Sequence, residues 1–148
     1  MAIPDFDDDG FLPEGIHECS LDELQQRFGG TQRSDQRSVL FAKLEQYLQE
    51  LRSTGMVACL VVDGSFVTNK AEPNDIDLVL ILPADHDFAA DLRPFEYNVL
   101  SRRRVLKRYA FDVLVAREKS PELVEYVEFF QQIRGETDRR KGILKVLP

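Results

Sequence analysis

The chain has 148 residues, a net charge of −7, 43% hydrophobic and 30% charged residues, and two cysteines and two histidines. That length makes one domain, able to bury about two-thirds of its unfolded surface, and the negative balance excludes broad non-specific nucleic-acid binding while leaving room for a local basic patch. Cys19 and Cys59 lie far apart without metal-ligand spacing, no signal peptide or membrane-length apolar run is visible, and the reading is a cytoplasmic globular protein with no membrane partner.

Residues 1–19 read as an extended N-terminal arm, punctuated by Pro4, Gly10, Pro13 and Gly15. Asp5, Asp7, Asp9 and Gly10 imitate the opening of a calcium-binding loop. Ile16 stands where the bidentate Glu is needed, and Pro4 precludes an entering helix, so the stretch reads as a solvated acidic arm. His17 has no catalytic partner in view. The domain proper, residues 20–148, opens on Ser20-Leu21-Asp22-Glu23, a capping box that predicts a short helix to about Phe28, ended by Gly29-Gly30. Leu40, Leu44, Tyr47, Leu48 and Leu51 recur at helical spacing and predict an amphipathic helix over 35–53, stopped by Gly55.

The stretch from residue 57 to residue 82 organises the rest. An apolar run, Val57 to Val62, reaches Gly64-Ser65. Nine residues later come Asp75-Ile76-Asp77 and then Leu78-Val79-Leu80-Ile81-Leu82. Short unbroken Val/Ile/Leu runs suit strands covered on both faces. Strand alternation would point Asp75 and Asp77 the same way, roughly 6.5–7 Å apart. Two such carboxylates repel at neutral pH unless they share a cation, and their hard oxygens suit Mg²⁺ or Mn²⁺. An Asp-x-Asp pair by itself is more often a solvated loop end. Here it has company: Gly64 and Ser65, directly after a buried strand, offer approachable backbone amides that suit phosphate oxygens.

Residues 83–94 form a polar, acidic loop in which His86, between Asp85 and Asp87, can hold metal but more often is simply solvated. A helix is predicted from Phe95 to about Tyr109, carrying Arg102, Arg103, Arg104, Lys107 and Arg108. It reads as a solvated face balancing an acidic protein, or as a basic wall near phosphates or an acidic partner. Phe111 to Val115 is a strand holding a third carboxylate, Asp112. Ser120-Pro121 starts a helix whose buried side is Leu123, Val127, Phe130 and Ile133, with Gly135 at its end. A charged turn over 136–142 precedes a last strand, Ile143 to Leu147. The element order describes an α/β (α+β) domain with a mixed sheet flanked by helices.

Three carboxylates on two strands beside a phosphate-cradling turn make a two-metal phosphoryl-transfer site. Gly64-Ser65, nine residues, Asp75-x-Asp77 between hydrophobics and a later hydrophobic-flanked Asp112 resemble the signature of the polymerase-β-like nucleotidyltransferase superfamily. The short length resembles its minimal bacterial and archaeal members, and the flanks IPDFDDDGFLPEGIH and KGILKVL resemble a poorly characterised bacterial family of such proteins. The resemblance implies a nucleoside triphosphate substrate, ATP first among the candidates, held with Mg²⁺ or Mn²⁺. Asp75 and Asp77 would bridge both metals, Asp112 would ligate the catalytic one, and Gly64 and Ser65 would hold the β- and γ-phosphates. The implied reaction moves a nucleoside monophosphate to an acceptor hydroxyl with loss of pyrophosphate. The implied partners are a small helical protein, as in toxin–antitoxin systems, or an RNA acceptor. Two other readings use the same residues: a nucleotidyltransferase fold kept for binding, antitoxin-like and with little turnover, and a metal-dependent nuclease. The nuclease reading lacks a Glu-x-Lys strand and leaves the Gly-Ser turn without a purpose.

Overall fold

The apolar runs on either side of Gly64 form the centre of a sheet in the computed structural model, which describes residues 3–29, 35–56 and 59–146. Strand β2 (Cys59–Asp63) lies antiparallel to β3 (Asp77–Leu82), and β4 (Asp112–Arg117) lies parallel to β3. On the other side β5 (Gly142–Val146) is antiparallel to β2, and β1 (Gly15–Cys19) ends the sheet parallel to β5. The order is β1-β5-β2-β3-β4, a mixed sheet in an α/β (α+β) domain, as the element order predicts. Residues 57, 58 and 147, the outer ends of two predicted strands, lie outside the described residues, as does Gly30.

Alternation divides the strand residues between two cores. Leu60, Val62, Leu78, Leu80 and Val113 pack into the larger one with helix α2 (Asp35–Ser53), whose Leu40, Leu44, Tyr47, Leu48 and Leu51 are all buried. Helices α3 (Pro94–Leu100) and α4 (Arg102–Tyr109) add Val99, Val105 and Tyr109 to it, and Tyr47 Oη donates to the Val99 carbonyl at 2.7 Å. Val61, Val79, Ile81, Ala116 and Ile143 face the other way, against Phe130 of helix α5 (Pro121–Gln131). Double coverage is why both central strands tolerate no polar residue between their ends.

Three expectations change. The arm is not set apart from the domain: its last five residues are β1, and Ile3 and Leu12 are buried in the larger core while its acids stay exposed. The Asp7 carboxylate accepts from the amides of Asp9 and Phe11, which lowers its pKa, and Arg139 reaches Asp9 at 2.6 Å. The helix predicted over 95–109 is two helices. Ser101 takes an extended ψ of 115° and its Oγ accepts from the Arg104 amide, so it caps α4 instead of continuing α3. The first helix, α1 (Leu21–Leu24), keeps the capping box of Ser20 and Glu23 but widens into a π-turn over Gln25–Gly29.

Candidate functional site

Register gathers charge at one end of the sheet. Asp63 is the partner of Asp77 across β2 and β3, and Asp77 is the partner of Asp112 across β3 and β4. Three aspartates thus stand in a row on neighbouring strands, their backbones about 5 Å apart, on the face that Val61, Val79 and Leu114 share with α5. Burial, then the charges of Asp75, Asp63 and Asp112, push Asp77 up to about 6, against the opposing pull of Lys141. Asp63 is 4% exposed, and burial raises its pKa too, partly offset by the Lys141 ammonium 2.9 Å away.

The sequence reading missed Asp63 and Lys141. Asp63 had one signal: it ends a buried strand immediately before Gly64-Ser65, where a charge is unexpected unless it is used. Lys141, in the charged 136–142 turn, had none.

The Gly64 turn is tight against the Asp75 segment. Gly64 has φ +95°, and a Cβ there would sit 2.8 Å from the Asp75 carbonyl oxygen. Asp75 lies outside β3, which begins at Asp77, so the predicted shared strand face does not hold for the pair. Its Oδ1 instead accepts from the Ser65 amide at 3.0 Å and from the Ser65 hydroxyl. The same hydroxyl accepts from the Asn74 amide at 3.0 Å, and the Phe66 amide donates to the Asp75 carbonyl. Ser65 therefore spends its amide and its hydroxyl on the Asp75 loop. Gly64→Ala is expected to cost about 1–3 kcal/mol through backbone strain and to displace Asp75 as well. A thermal melt checks the first effect and nucleotide affinity the second.

Asp112 is clamped from α4: Arg102 Nε and Nη2 donate to its two carboxylate oxygens at 2.6 and 3.0 Å. The row opens on a cavity of about 1150 Å³. Arg102, Thr68 and Lys141 contribute polar lining, and Phe130, Ile133 and Phe129 form an apolar wall, Phe129 with 63% of its surface exposed. Among the described residues no three acidic, thiol or imidazole side chains are already gathered to hold a metal. The reason is local: Asp75 is tied to Ser65, Asp63 to Lys141 and Asp112 to Arg102. Among the described residues Asp77 is the one of these four carboxylates with no ion pair or hydrogen-bond partner of its own.

The remaining candidates do not line this cleft. His17 Nε2 lies 2.7 Å from the Pro13 carbonyl oxygen, and His86 packs on the edge of Phe88, ring centroids 4.8 Å apart. Burial raises the Cys19 thiol to about 11 and raises Cys59 as well, which makes both poor nucleophiles. Among the described residues no helix is long and apolar enough to cross a membrane.

Neither the curated proteins nor the solved structures include a match to this chain. A family model described as "Family of unknown function (DUF6932)" matches residues 4–147, a span that takes in β1, the whole carboxylate row and Lys141, and the chain belongs to that family.

Proposed function

We propose that the chain is a divalent-metal-dependent nucleotidyltransferase. The observation that carries the reading is Asp77: a crowded carboxylate between Asp63 and Asp112, near Asp75, at the mouth of a Gly-Ser turn and a cavity of nucleotide size. All the donors there are hard carboxylate oxygens, and a proton affinity raised by burial and then by neighbouring negative charge is an environment that a hard cation relieves. Asp75, Asp77 and Asp112 would hold Mg²⁺ or Mn²⁺, with Asp63 as a further neighbour. Bound there, such ions would neutralise phosphate charge and make an acceptor hydroxyl more acidic.

The chain's own groups do the rest. The Gly64 and Ser65 amides lie at the turn that would face the β- and γ-phosphates once Asp75 leaves Ser65. Lys141 and Arg102 place positive charge at the cavity, suited to the triphosphate. The acceptor oxygen forms a bond to the α-phosphorus as the bond from that phosphorus to the bridging oxygen breaks. Pyrophosphate leaves with that electron pair, and Asp112, released from Arg102, takes the hydroxyl proton. The Phe129–Ile133 wall offers an apolar surface to the base.

One observation favours the binding-module reading. Asp75 and Asp112, two of the three motif carboxylates, are already satisfied within the chain, an arrangement that a scaffold without turnover would also keep.

Calorimetric titration of a non-hydrolysable ATP analogue with Mg²⁺, at pH 7.5 and at pH 5, tests the site. Asp77 must be ionised to hold a cation, and with its pKa near 6 it is mostly protonated at pH 5. Affinity is therefore expected to fall as pH drops through 6. Absence of nucleotide binding at pH 7.5 with both Mg²⁺ and Mn²⁺ would sink the site. Binding without label transfer to any component of host lysate would select the binding module.

A further inference from the structure

Helix α4 places five cations and no acid in eight residues of a chain whose net charge is −7. Two of the five are committed, Arg102 to Asp112 and Arg108 to Glu50. Arg103, Arg104 and Lys107 are exposed and pair with no carboxylate among the described residues. Beside them Tyr97 leaves 42% of its surface exposed, although Val99, Val105 and Tyr109 supply the buried contacts of these two helices; Phe95 is equally exposed but, two positions earlier on α3, projects from the helix's other side. Each ring already has a guanidinium near it, Arg93 at 4.8 Å from the Phe95 centroid and Arg104 at 5.3 Å from that of Tyr97.

We propose that this α3–α4 surface binds a single-stranded polynucleotide, whose end it delivers to the carboxylate row as acceptor. The acceptor role rests on the nucleotidyltransferase reading; the binding does not. Uncommitted cations match backbone phosphates, and the exposed Tyr97 ring beside the Arg104 guanidinium matches the face of an unpaired base. A duplex hides that face. An acidic helical protein would need a continuous apolar stripe to dock on; α4 itself exposes only Leu106, and the neighbouring Tyr97 ring lies under the Arg104 guanidinium. The rest of the chain is acidic enough to confine the strand to this surface, and that surface leads into the cleft, because Arg102 at its first turn is bonded to Asp112.

Fluorescence anisotropy of the full chain with a labelled 12-nucleotide oligoadenylate RNA is the test, beside the same RNA as a duplex and a polyglutamate peptide. Three phosphate contacts predict a slope of log affinity against log salt of about −2. Arg103→Gln/Arg104→Gln/Lys107→Gln is expected to abolish most of that slope and to weaken binding at least tenfold, and Tyr97→Ala to weaken it about tenfold with the slope kept. Circular dichroism melts establish that both variants, which alter only surface positions, remain folded. Unchanged RNA affinity in the triple variant, tighter binding of the duplex, or binding of polyglutamate and not RNA would each overturn the proposal, the last in favour of an acidic protein partner. Nucleotide titration on the same samples separates the two claims. Nucleotide binding without RNA binding overturns this proposal and leaves the transferase reading standing. RNA binding lost in the triple variant, with no nucleotide binding, supports the surface and overturns the transferase.

Discussion

Arg37→Leu is expected to lower folding stability by about 3–5 kcal/mol and the melting temperature by about 10 °C or more. Arg37 is fully buried near the start of α2. Its Nη1 donates to the carbonyls of Phe66 at 2.6 Å and Phe28 at 3.3 Å, and its Nη2 to those of Thr68 at 2.7 Å and Lys70 at 2.5 Å. The Phe28 and Phe66 rings flank the guanidinium, with centroids 5.8 and 5.6 Å away. Hydrogen bonds from a charged donor contribute about 1.5–3 kcal/mol each, and a carbonyl orphaned in the interior costs about as much. Leucine fills part of the volume and satisfies none of the four acceptors. Arg37→Lys recovers only part of the loss, because an ammonium cannot span four carbonyls from a planar fork. These carbonyls belong in part to the loop leaving Gly64-Ser65, so nucleotide affinity should fall in both variants. A leucine variant with wild-type melting temperature would refute this account.

Arg37 did leave a mark in the sequence. It sits three residues before Leu40 and seven before Leu44, on the apolar stripe of its own helix, where a charge must be either an error of register or a structural bond. What local sequence specifies well is what local physics decides. Helix 35–53 follows from a 3.6-residue period, and the central strands follow from unbroken Val/Ile/Leu runs. The break at Ser101 was open to local reading as well, since serine prefers an N-cap to a helix interior. The carboxylate row is different in kind. That Asp63 faces Asp77 and Asp77 faces Asp112 is set by strand pairing across 14 and 35 residues, which no window of sequence contains. Lys141 arrives from further still, carried to Asp63 because β5 pairs with β2. Asp75 fell on the wrong side of a strand boundary: its spacing to Asp77 suggested one pleated face, while the Gly64 turn draws it out of the strand onto Ser65.

The largest functional effects are expected at the aspartates, and they should differ in kind. Asp77→Asn removes the central member of the row. Nucleotide binding with Mg²⁺ should weaken sharply and transfer should fall by at least three orders of magnitude, each tenfold step corresponding to about 1.4 kcal/mol of lost transition-state stabilisation. The same substitution should raise the melting temperature of the metal-free protein at pH 7.5. The sign follows from the direction of the shift. Asp77 binds its proton more tightly folded than unfolded, so its ionised form destabilises the fold above about pH 6, and stability grows as pH falls through that value. A neutral asparagine removes that penalty, and the gain over wild type should vanish by about pH 4. Asp75→Asn should also lose nucleotide affinity and transfer. Asp112→Asn frees Arg102 from a bidentate pair with an exposed partner, so its stability should hardly change. If Asp112 serves only the acceptor, that variant keeps Mg²⁺-dependent nucleotide binding while transfer falls by orders of magnitude. Melts at pH 4 and pH 7.5, calorimetry and a transfer assay on the three variants read all of these quantities. Asp77→Asn that melts below wild type at pH 7.5 without metal would show the row to be a stabilising network and not a strained site. Asp112→Asn with undiminished transfer would remove it from the chemistry.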